Sequence, residues 1–90
     1  MLRNLAAVLQ EQGLTYDLLR ALAAVERYGH DGVGSTAEQL RLSTAALNPL
    51  LKKLQDYGLI WTKKDTKTRR VSVFATDRGM SVLKRASKEM

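Results

Sequence analysis

The chain has 90 residues, no cysteine, a single histidine and a formal net charge of +6. That is room for one domain over 1–90 with one modest core, and it excludes a disulfide framework, a thiolate metal site and a histidine-based catalytic dyad. With no paired carboxylates or phosphate-cradling glycine loop at usable spacing, and no apolar run of membrane-spanning length, the sequence points to a cytoplasmic binding protein that is not an enzyme and carries no cofactor.

Leu2, Leu5, Ala6 and Leu9 recur at helical spacing, predicting a short amphipathic helix over 2–12 that stops at Gly13. Thr15 caps the next helix, with Asp17 in its first turn, Leu18, Leu22 and Val25 as its buried stripe beside Leu19, and Gly29 as its end. The segment GHDGVGS that follows is rich in glycine and aspartate and is expected to be a loop, with His30 solvated and Val33 able to add one strand residue beside a later hairpin. Ser35-Thr36-Ala37-Glu38 fits a capping box, in which the Ser hydroxyl accepts from a backbone N–H and the Glu reaches back to the cap. A helix of roughly 36–41 is predicted there, and its first turn at Ser35 and Thr36 offers unpaired N–H groups to a phosphate.

Ser43 supplies another cap after only a couple of connecting residues, and so tight a link between two short helices is a helix-turn-helix connection. Leu47, Leu50, Leu51 and Leu54 form the buried stripe of this helix, leaving Thr44, Ala45, Asn48, Pro49, Lys52 and Lys53 outside it. Pro49 deletes one backbone bond, and Asn48 could instead cap a later start with Pro49 at its first position. The unbroken leucine period favours one kinked helix over 44–57, ending at Gly58. Leu59 to Thr62 is then predicted as a strand, with Trp61 in the core, and Val71 to Ala75 as its partner. Between them Lys63, Lys64, Lys67, Arg69 and Arg70 make a cationic tip interrupted by Asp65. Thr76 caps a last helix reaching about residue 89, whose Met80, Val82, Leu83 and Ala86 pack inward or against a second copy.

Charge follows the same division of the chain. Residues 1–42 carry four Arg against five acids, net −1, whereas residues 43–90 carry eleven Lys or Arg against four acids, net +7. A positive field confined to one half is the electrostatic footprint of a nucleic-acid surface, where cations displace counterions from phosphates. Two short helices followed by a basic ribbon place one element in a DNA groove and the other on the backbone, so double-stranded DNA is the expected partner. Two alternatives use the same features: a protein-interaction or assembly module whose wing meets an acidic partner, and an architectural protein that coats DNA without sequence choice.

STAEQLRLSTAALNPLLKKLQDYGLI and TRRVSVFATDRG, in this order, resemble the winged helix-turn-helix domain of MarR-type and PadR-type transcriptional regulators over about residues 15–83. Leu47 to Leu54, with its proline before paired leucines and two cations, resembles the PadR recognition helix more closely. The resemblance implies a mostly helical α+β fold: a three-helix core, a two- or three-stranded wing hairpin, and N- and C-terminal helices at 1–13 and 77–90 that dimerise. It further implies a homodimer on a pseudo-palindromic operator, usually as a repressor. By position, Thr44, Ala45, Asn48, Lys52 and Lys53 would face bases or nearby phosphates, and Lys63, Lys64, Lys67, Arg69 and Arg70 would form the wing. Two departures stand out: Asp65 lies four residues before Arg69 where MarR wings hold an acid close to the arginines, and Asn48 replaces the PadR aromatic. The terminal helices are also short for the family, so no effector ligand is implied.

Overall fold

In the computed structural model, which describes residues 15–89, the Thr15 hydroxyl accepts from Leu18 N at 3.2 Å and opens helix α1, Tyr16–Tyr28. The helix expected over 2–12 lies outside the described residues. Helix α1 buries Leu18, Leu19, Ala21, Leu22, Ala24 and Val25 on one face, the stripe its spacing predicts. Gly29 follows it with an ordinary right-handed φ of −60°, and the chain tightens into a 3-10 turn over Gly29–Asp31. The glycine is needed there for proximity: a Cβ on it would collide with the Val73 carbonyl.

Helix α2 spans Val33–Leu40, which corrects the expected 36–41. Gly32 at φ +110° turns the chain into the helix early, so Ser35 is already inside it and no capping box forms. Thr36 is fully buried, and its hydroxyl donates to Gly32 O at 3.0 Å. Val33 therefore begins a helix and adds no strand, and the glycine-rich loop is replaced by the 3-10 turn and the first turn of α2. At the other end Arg41 takes the left-handed φ of 56°; Arg41 N donates to Glu38 O at 3.0 Å and Leu42 N to Ala37 O at 2.9 Å. This is a Schellman closure with arginine where glycine is usual.

Ser43 then accepts from Ala46 N at 3.1 Å and starts helix α3, Thr44–Asp56. Pro49 sits inside α3, so the helix runs through it and Asn48 is not a cap. Leu47, Leu51 and Leu54 are buried and Leu50 is half-buried. Gly58, at φ +73°, ends the helix as predicted: Gly58 N donates to Gln55 O and Leu59 N to Leu54 O, both at 2.9 Å.

Strands β1, Ile60–Lys64, and β2, Val71–Ala75, pair antiparallel from Ile60 opposite Ala75 to Lys64 opposite Val71. The wing has two strands, and the 3-10 turn lies along the free side of β2, where Ser72 Oγ donates to His30 O at 3.2 Å. Thr76 donates its hydroxyl hydrogen to Gly58 O at 2.7 Å and accepts from Gly79 N at 3.1 Å, tying the end of α3 to the start of helix α4, Asp77–Glu89. Val82 and Ala86 of α4 join the core around Leu22, Val25, Leu47, Leu54 and Val73, while Met80 is exposed. No described helix is long and apolar enough to cross a membrane.

Candidate nucleic-acid interface

The buried leucine side of α3 dictates what its other side shows: Thr44, Ala45, Asn48, Lys52 and Lys53 are all exposed. Thr44 and Asn48 open into one groove of about 540 Å³, shared with Gly34 and Ser35 from the start of α2 and Arg70 and Val71 from the wing. Three elements separated in sequence thus meet around the amide of Asn48. The Arg70 stem lies over Gly32, where a Cβ would stand 3.1 Å from its Cγ. Lys52 and Lys53 stand on α3 outside this groove.

The sequence places Ser35 and Thr36 together at a helix start, yet only Ser35 reaches the groove. Thr36 is turned into the core with its hydroxyl satisfied, so it has no surface to offer. The helix ladder opens with Thr36 N donating to Gly32 O at 3.2 Å, which moves the unpaired first-turn N–H groups to residues 33–35. Asp31 also lines the groove, an acid whose sequence context shows only a loop; its carboxylate stands 3.5 Å from His30 Nε2.

The wing differs from its expected layout in one respect. Lys63 and Lys64 belong to β1, opposite Ser72 and Val71, so the tip proper is Asp65 to Arg70. Asp65 N donates to Arg70 O and Arg69 N to Asp65 O, both at 2.8 Å, closing the loop with Arg69 left-handed at φ 59°. The Asp65 carboxylate accepts from Lys67 N at 2.8 Å and Thr68 N at 3.4 Å. These two backbone bonds, Lys67's foremost, hold its pKa below the ordinary aspartate value. The acid of this wing braces backbone, and Lys67, Arg69 and Arg70 remain exposed.

Trp61, expected in the core, is 47% exposed and stacks on Phe74 across the hairpin with ring centroids 4.6 Å apart. Period two explains the difference, since Ile60 takes the core-facing position and Trp61 the other. A second groove, about 610 Å³ and mostly apolar, runs between α1 and α4 past Tyr16, Leu19, Ala23, Ala24, Leu83 and Ala86. Among the described residues no cluster of three or more His, Cys, Asp or Glu is placed to hold a metal ion.

No protein-family model matches the sequence, and no curated protein matches it. Solved structures do match. The MepR–DNA complex of S. aureus superposes with a TM-score of 0.82 at 21% identity, covering 93% of this chain and 64% of that one. YusO from Bacillus subtilis gives 0.83 at 23% identity, covering 96% and 62%. A MarR family transcription regulator gives 0.81 at 18% identity, covering 93% and 58%. The chain has the MarR-type winged helix-turn-helix fold, and it spans about three fifths of the length of the structures it matches.

Proposed function

We propose that the chain is a DNA-binding transcriptional regulator, a repressor that binds a pseudo-palindromic operator as a homodimer. Helix α3 enters the major groove and the wing follows the flanking backbone or minor groove. The observation that carries this is the groove in which Thr44, Asn48, Ser35 and Arg70 converge, since one duplex edge laid there meets α3, the start of α2 and the wing together. The Asn48 amide is suited to the N6 and N7 edge of adenine, and the Ala45 methyl to a thymine methyl. Lys52 and Lys53 contact phosphates, or Lys52 a guanine edge. The first-turn N–H groups around Ser35, with Lys63, Lys64, Lys67, Arg69 and Arg70, bind phosphate and set register without reading sequence.

Of the two terminal helices expected to dimerise, the one at 1–13 lies outside the described residues; the apolar groove beside the other, α4, supports a dimer that would set two copies of α3 about 34 Å apart, one turn of DNA. Bound there, the dimer represses by occupying the operator. Selection from random duplexes, followed by electrophoretic shift at moderate salt, tests the reading. Recovery of an inverted repeat with half-sites about one turn apart is the expected result. A retained pool without a motif would make the protein a DNA coat, and no shift even at low salt would leave the cationic wing to an acidic protein partner.

A further inference from the structure

The face of the wing turned away from Asn48 has a composition of its own. Trp61 and Lys63 are two residues apart on β1 and sit opposite Phe74 and Ser72, so all four side chains project from one face of the ribbon. Val71, which lines the groove beside Asn48, belongs to the other face with buried Ile60 and Val73. The indole rests one side on Phe74, at an interplanar angle of 27°, and its exposure of 47% is what a ring covered on one side and open on the other should show. Beyond it lies a recess of about 460 Å³ lined by Phe74, Ser72, Lys63, Lys64, Asp65 and Thr66, which runs toward the cationic tip. Asp65 gives its carboxylate to Lys67 N and Thr68 N, leaving the two lysines as the recess's positive groups.

A cross-strand aromatic pair stiffens a hairpin, and that role leaves one side of the indole open beside Lys63. We infer that this outer face is a stacking platform for unpaired bases: a base lies on the free side of Trp61 while the phosphates of a single-stranded segment run over Lys63. An aromatic step beside a cationic track is how proteins hold single strands without reading their sequence. An acidic peptide would satisfy the lysine but need not supply a flat ring to cover the open side of the indole, which every base does. The platform shares Lys63 with the proposed duplex contacts but adds Trp61, which those contacts do not use, so the Trp61 variants separate the two readings.

Trp61 is the sole tryptophan in the chain, so its fluorescence reports this face alone. Oligothymidylate titrated into the full chain should quench it saturably, with affinity falling as salt rises. Trp61→Leu should weaken binding of a dye-labelled oligothymidylate about tenfold and Trp61→Phe should restore most of it, the loss of one stacked base. Lys63→Gln should weaken it by a smaller factor. An unquenched tryptophan would overturn the inference. So would equal quenching by polyglutamate, which would give the face to an acidic peptide, or by a blunt duplex at the same affinity. A shift assay on duplex alone, run beside these, scores the operator reading separately.

Discussion

Asn48 lies one helical turn after Thr44 and shares its groove with Arg70, so its amide is both exposed and close to a cation. A side chain with one donor and one acceptor on adjacent atoms matches adenine in a way that lysine, a point charge, does not. Asn48→Ala should therefore flatten base preference at one operator position by about 1–3 kcal/mol while leaving non-specific binding in place; identical selection profiles for parent and variant would remove Asn48 from readout. Asp65 acts differently, through the wing's shape. Its folded pKa is depressed, chiefly by the Lys67 N–H and then that of Thr68. The order it lends the tip is thus present above the unfolded aspartate value and lost as pH falls through the lower folded one. The amide resonances of Lys67 and Thr68 should titrate together with a midpoint below the ordinary aspartate value, and Asp65→Ala should abolish that titration. A midpoint at or above the ordinary value would mean the carboxylate is not held by the loop.

As an element, the wing divides its labour by position. Lys63 and Lys64 are locked to strand register, while Lys67, Arg69 and Arg70 stand on a loop held by backbone bonds to Asp65. Neutralising those three together should lower duplex affinity for every sequence and reduce the slope of log affinity against log salt by about 0.9 for each phosphate that no longer meets a cation. A slope equal to the parent's would mean the tip does not touch the backbone. The elements legible in the sequence were those with a periodic pattern and a chemical start or stop: α1 from Thr15, α3 from the leucine period closed by Ser43 and Gly58, β2 from the alternation of Val71 to Ala75, and α4 from the Thr76 cap. Residues whose place depends on a turn's dihedral were not legible. Gly32 at φ +110° starts α2 ahead of its apparent capping box, which buries Thr36 and moves the first-turn N–H groups back to residues 33–35. A one-residue choice of strand phase likewise put Trp61 outside and Ile60 inside, and composition does not decide between two large apolar neighbours. The cations were legible as a cluster, but the convergence of Asn48 with Arg70 needs the fold, since it joins α3 to a loop 22 residues further along the chain.

At the scale of the molecule, the positive half of the sequence supplies α3 and the wing, and a mostly apolar groove lies between α1 and α4. That groove, where Leu19, Ala23, Ala24, Leu40, Leu83 and Ala86 lie beside Arg20, Glu26 and Arg27, is where the proposed dimer would seat its second copy and so join two α3 helices. Linking two half-site interactions makes the second binding event intramolecular and raises affinity by about 10²–10⁴-fold with no added interaction with DNA. Ala23 is exposed on α1 within this groove, so a carboxylate there disturbs no core packing and places a charge where an apolar partner face must desolvate it. Light scattering should give twice the chain mass for the parent and the single mass for Ala23→Glu, with the variant's thermal midpoint no longer dependent on protein concentration. Its affinity for the full inverted repeat should fall by about 100-fold or more, to the level both proteins show for an isolated half-site. If Ala23→Glu stays dimeric and keeps operator affinity, the two subunits meet elsewhere and the groove between α1 and α4 has another use.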